Sequence, residues 1–148
     1  MADLSPQEVE LVMALRASSN LESVECHEMS AKRNDHPPEP DAPEEGNVNI
    51  AAQFRYDEGS FGVRLIARVT IPIGEVTVSI AGEYSLTEEC VPSTRTVQQF
   101  CNEVAIMSVF PYLREAVSTV SGRVFGNPLY LPMVDRGEIV LDVEEVSA

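Results

Sequence analysis

Apolar and polar residues alternate most cleanly between Val48 and Leu86, and that period predicts three consecutive strands. Val48, Ile50, Ala52, Phe54 and Tyr56 form the first apolar row, and Asp57-Glu58-Gly59-Ser60 supplies a turn. Phe61, Val63, Leu65, Ala67, Val69, Ile71 and Ile73 form the second. Val76, Val78, Ile80, Tyr84 and Leu86 form the third, with Gly82 in place of one apolar member. A period of two gives the sheet one apolar and one polar face. Arg64, Arg68, Thr70, Glu75, Thr77, Ser79 and Glu83 fall on the polar one. The second turn reads Pro72-Ile73-Gly74-Glu75; a two-residue Ile73-Gly74 loop would set Arg64 opposite Glu83 and Arg68 opposite Ser79. An earlier segment, Leu21 to Arg33, mixes apolar and charged residues and is expected to be an edge strand with a bulge.

Two stretches carry helical signals. Ser5-Pro6-Gln7-Glu8 is a capping box with proline in the first turn, so a helix is expected from about Pro6 to Ala17, with Val9, Val12 and Met13 on one side. From Thr94 to about Arg123 the period turns helical again, with a break expected near Pro111 because proline removes a backbone donor. Its apolar residues include Phe100, Val104, Met107, Phe110, Leu113 and Val117, and they cover more than half the circumference. A helix this broadly apolar is buried on more than one side. One sheet covers only one side, so those six residues are expected to meet a second subunit. Between the edge strand and the three regular ones, Asn34 to Asn47 holds four prolines and five acids, and is expected to be a mobile loop.

The 148 residues suit one domain spanning residues 1–148, with a core that needs neither disulfides nor metals. A formal charge of −14 repels phosphate backbones and argues against nucleic acid. No apolar run reaches membrane-spanning length and the N-terminus lacks a signal-peptide pattern, so a cytoplasmic location is expected. Cys26, Cys90 and Cys101 are odd in number and lack CxxC spacing, which suits reduced thiols. Cys26 and His27, adjacent on a strand, point to opposite faces and cannot form a nucleophile–base pair. With no zinc spacing, P-loop or dinucleotide motif, the sequence points to no enzyme, cofactor or metal.

Phe125 to Val134 is proline-studded, and six of its ten residues are large hydrophobes. Such a run is either packed at an interface or left as a sticky surface for a partner. The order of elements, with Phe110-Pro111-Tyr112-x-Arg114-Glu115 and then Phe125-x-x-Pro128-x-x-Leu131-x-Pro132, resembles the SecB family of export chaperones from about Val48 to Val134. The resemblance implies an α+β protomer, with a four-stranded antiparallel sheet packed on a long C-terminal helix, assembling as a homotetrameric dimer of dimers. It implies ATP-independent holding of unfolded polypeptide clients in apolar grooves, here lined by Phe54, Tyr56, Phe125, Leu129, Tyr130, Leu131 and Met133. Glu75 and Glu83 on the polar face are its candidates for docking a SecA-type export motor. Familiar members continue into a second helix, whereas Gly137, Ile139 and Val140 argue against a full helix in the tail from residue 135 to 148. The departures resemble the SecB-like chaperones of actinobacteria and their phages, some of which protect an antitoxin. A structural oligomer that keeps the fold without binding clients is the alternative of another class.

Overall fold

The structure is a computed structural model that describes residues 4–36, 38–41, 46–57, 59–87, 92–132 and 141–146. Its element order is α1 (Pro6–Ser18), β1 (Ser19–Arg33), β2 (Asn47–Asp57), β3 (Ser60–Ile71), β4 (Gly74–Leu86), α2 (Thr94–Phe100), a π-helical turn (Cys101–Ala105), α3 (Ile106–Phe125) and β5 (Val143–Glu145). The sheet runs β1-β4-β3-β2-β5. Its first four strands pair antiparallel as the alternation predicts, and β5 adds a fifth, parallel to β2. The four-stranded expectation is thereby corrected to five. A strand of three residues has no periodicity of its own to read, and it exists because the β2 edge receives it.

The capping box forms as its spacing dictates: Ser5 Oγ accepts from Glu8 N and the Glu8 carboxylate accepts from Ser5 N. Val12 and Leu15 are the residues α1 buries, while Met13 is exposed. Glu8 also accepts from Arg95 at 2.9 Å and from Gln99 at 2.9 Å, which fastens α1 to α2. The Arg95 guanidinium holds the Glu8 carboxyl below its ordinary range. β1 is the expected edge strand, and its register shifts twice, between Leu21 and Ser23 and between Cys26 and Glu28. Such bulges twist an edge and discourage pairing with other chains. Residues 37 and 42–45 of the expected loop, and Cys90, lie outside the described residues.

The hairpin register differs from the sequence expectation. Ile71 pairs with Gly74, so Pro72-Ile73 is the loop, Arg64 faces Ala81 and Arg68 faces Thr77. Proline supplies the turn by fixing φ, and Gly74 is a strand residue instead. The charge pair that results is Arg55–Glu83 at 2.8 Å, reaching across β3 at Gly62, which pairs with both residues. A side chain at that point would crowd Glu83, since an added Cβ would lie 2.9 Å from its Oε2.

The apolar face of the sheet carries α2, the π turn and α3. At its centre Phe61 stacks on Tyr84 with centroids 4.9 Å apart, and Phe100 meets both edge-on at 5.5 and 5.4 Å. At Gly82, the gap in the third apolar row, α3 comes close: an added Cβ would lie 2.8 Å from the Val109 methyl. The helix does not break at Pro111, which lies inside α3. The irregularity is the π turn before it. Pro111 and Met107 are both exposed, so water can take the Met107 carbonyl that the proline leaves without a donor.

Phe100, Phe110, Leu113 and Val117 are buried within this chain, which corrects their placement at a subunit interface. The broad apolar circumference has an internal explanation. The sheet covers one side of the helix, and the chain returns after Gly126 to cover another. Of the six interface candidates only Met107, exposed, and Val104, half-buried, remain on the outside. No helix among the described residues is long and apolar enough to cross a membrane.

Candidate functional site

The return segment after α3 is fixed by the helix it covers. Gly126, at φ 84°, ends α3 in the left-handed conformation that favours glycine, and its N–H donates to the Gly122 carbonyl. The fully buried Ser121 donates its hydroxyl to the Val117 carbonyl and accepts the Leu129 N–H at 2.8 Å. Two turns earlier on the same helix, Arg114 Nε donates to the Leu131 carbonyl at 2.7 Å. The Arg114 guanidinium also lies 5.7 Å from the centre of the Tyr130 ring. Arg114 of the FPYLRE stretch therefore acts structurally, holding Leu131 by its backbone and Tyr130 by its ring.

This pinning builds an apolar cleft of about 210 Å³, lined by Gly46, Val48, Val69, Ile71, Val117, Leu129, Tyr130 and Leu131. Its walls are the start of β2 and the end of β3 on one side and the return segment on the other. Tyr130 is 65% exposed and Val48 49% exposed, so two large apolar side chains border the cleft at its open side. Among the described residues, no charged side chain lines it.

The sequence candidates for the groove separate into three groups. Leu129, Tyr130 and Leu131 come together in the cleft, although Leu131 is 2% exposed and serves as its floor. Phe125 is buried against the Gly74 backbone, and Phe54 is buried at 2% exposure beside β5, so neither lines this cleft. Tyr56 is half-buried, eight residues along β2 from Val48 and so roughly 26 Å away. Met133 lies outside the described residues. Val48, Val69 and Ile71 were missed as site residues. Their alternation announced the apolar face, but only the end of α3 shows which part of that face stays uncovered.

The polar face holds a second cleft, also about 210 Å³, lined by His27, Gln53, Phe54, Arg55, Gly62, Arg64, Ala81, Glu83 and Val146. The side chains of Glu25, His27 and Glu83 approach within 4.8 Å of one another there. Arg55 already pairs with Glu83, so the carboxylate a cation would need is engaged by a guanidinium. The same pairing bears on motor docking: Glu83 is half-buried and ion-paired, Glu75 is exposed, and eight residues of β4 separate them by roughly 26 Å. The two acids do not form one patch. As for thiol chemistry, burial pushes Cys101 up to about 12, so it stays protonated and inert at neutral pH.

No protein-family model matches this sequence. An uncharacterised protein of Methanocaldococcus jannaschii is 29% identical over 120 residues, which cover 74% of this chain and 75% of that protein. Among solved structures, the SecB-like chaperone Rv1957 of Mycobacterium tuberculosis, in complex with a ChAD peptide from the HigA1 antitoxin, superposes with a TM-score of 0.74 at 18% identity. The match covers 86% of this chain and 98% of that one. Sheet, long helix and return segment together give this chain the SecB-like fold.

Proposed function

We propose that the protein is a cytoplasmic, nucleotide-independent chaperone that holds extended apolar segments of unfolded or nascent polypeptides. The observation that carries this reading is the cleft beneath Tyr130. It is lined mainly by apolar side chains, with no charged one among the described residues, is open to solvent at Tyr130 and Val48, and is backed by the sheet and by α3 at Val117. An unfolded segment gains from burying its apolar side chains there, and a wall free of charge imposes little sequence preference. Aromatic and aliphatic side chains at the rim adapt to different partners.

A narrower reading, service to one dedicated partner such as an antitoxin, is supported by the peptide bound to the mycobacterial neighbour. Assembly into a homotetramer belongs to the proposal as well. The outer face of the π turn and the first half of α3, with Val104 half-buried and Met107 and Tyr112 exposed, is the surface that suits it. Handing clients to a SecA-type motor has weaker support, because Glu83 is engaged by Arg55 and distant from Glu75.

Suppression of aggregation tests the proposal. A chemically denatured client diluted into buffer without nucleotide is expected to stay in solution at near-stoichiometric protein, as read by light scattering. Unchanged aggregation with a panel of denatured clients, together with no binding to an antitoxin-type peptide, would refute both readings and favour the structural oligomer.

A further inference from the structure

The C-terminal strand is held in an unusual way. β5 lies parallel to β2, with Ala52, Gln53 and Phe54 beside Val143, Glu144 and Glu145, and Val146 N donates to the Phe54 carbonyl at 2.8 Å. On its other flank the partners are side-chain amides. Asn102, in the π turn, accepts the Leu141 N–H at 2.7 Å and donates to the Leu141 carbonyl at 3.0 Å. Gln98, one turn earlier, donates to the Val143 carbonyl at 3.1 Å. Leu141 is half-buried and Val143 is 2% exposed in the core, while Asp142, Glu144 and Glu145 face solvent.

Every one of these polar contacts reads main chain. By side chain the segment is read mainly at the apolar Leu141 and Val143, which stand two residues apart as in any half-buried extended segment. One long exposed contact runs from Thr94 Oγ1 to the Glu145 carboxylate at 3.5 Å. A strand edge and a pair of amides that satisfy main-chain groups form the kind of slot used in peptide recognition by strand addition. The present occupant is short: three ladder positions, the main-chain contacts of Gln98, Asn102 and Phe54, and one fully buried side chain, Val143, hold it. Its place on β2 is also close to the apolar cleft, since Val48 and Gln53 are five residues apart, roughly 17 Å along the strand.

We infer that the slot between the β2 edge and Gln98/Asn102 is a second polypeptide-binding site, filled at rest by β5 and taken over by an extended client segment with apolar residues two positions apart. This rests on the chaperone reading above and adds to it a site and an internal competitor. The resident strand lowers the apparent affinity by the fraction of time the slot is filled. It also keeps the β2 edge paired when no client is present.

The test locks the strand in the full-length chain. Gln53→Cys and Glu144→Cys, cross-strand neighbours in β2 and β5, are introduced together in a Cys26→Ser, Cys90→Ser background. Binding of a fluorescein-labelled peptide of alternating leucine and serine is measured by anisotropy, oxidised and reduced. Oxidation is expected to weaken binding about tenfold, leaving the cleft alone to act, and reduction to restore it. Val143→Ser, which loosens the resident strand without touching the slot's amides, is expected to strengthen binding several-fold. Equal binding by the oxidised and reduced forms would overturn the inference and leave the chaperone reading standing. Peptide binding that fails in every form would overturn both.

Discussion

Replacing Val48 and Tyr130 together by serine is expected to weaken client holding about a hundredfold while leaving the fold in place. Each side chain is exposed in the resting protein and would be covered by a bound segment. Losing the burial of one large apolar side chain costs about 1.5 kcal/mol or more, and two such losses reach the ~3 kcal/mol that corresponds to a factor of a hundred. The fold is insensitive to both changes because neither residue belongs to the buried core. Leu131 is a poor choice for the same experiment: at 2% exposure, a serine there would open the floor of the cleft and confuse stability with binding. Dilution of a denatured client into each variant, with thermal unfolding as the control, separates the two effects. A double variant that still protects the client at wild-type ratios would remove the cleft from the mechanism.

Gly74→Ala is expected to destabilise the protein by about 3 kcal/mol, near the upper end of what overpacking does. An added Cβ would stand 2.2 Å from the Lys32 carbonyl oxygen and 2.6 Å from the Phe125 ring. The first is backbone in the paired β1 strand, where Arg33 lies directly opposite Gly74, so it cannot swing away. The second is buried, and the end of its helix is tied down by Arg33, whose guanidinium donates to the Val124 and Phe125 carbonyls at 2.7 and 3.3 Å. The loss would appear as a fall in Tm of about 10 °C. An unchanged Tm would mean that β1, the hairpin tip and the end of α3 do not close on one another as described. This junction matters for function because Ile71, the strand partner of Gly74, lines the cleft.

Much of the architecture was legible because it depends on local pattern. The three alternating rows, the Ser5–Glu8 box and the bulged edge strand each carry their own signal within a few residues. What escaped depends on choices made elsewhere in the chain. β5 has only Val143 as an apolar anchor, and it becomes a strand because Gln98, Asn102 and the β2 edge satisfy its main chain. The hairpin register turned on whether Pro72-Ile73 or Ile73-Gly74 made the turn, and the crowding at Gly74 that favours the former is long-range. The helix was correctly read as apolar on several sides. A sequence does not say whether the second cover is another subunit or the chain itself, and here Ser121 and Arg114 fasten the chain's own return segment there.

The site was half legible for a related reason. Leu129, Tyr130 and Leu131 stood out as apolar residues among prolines, and they do line the cleft. Phe54 and Phe125 have the same chemistry but fall under β5 and against Gly74, so hydrophobicity alone did not distinguish core from surface. The opposite wall, Val48, Val69 and Ile71, looks in sequence like any other part of an apolar sheet face. Its function comes from where the covering helix stops.

Site-specific photocrosslinking tests the central claim most directly. A benzoylphenylalanine placed at Tyr130, and separately at Arg68 on the polar face, is irradiated in the presence of a labelled unfolded client. The account predicts adducts from position 130 and none above background from position 68, where the exposed arginine faces away from the cleft. Equal crosslinking from both faces, or adducts from position 68 alone, would contradict it.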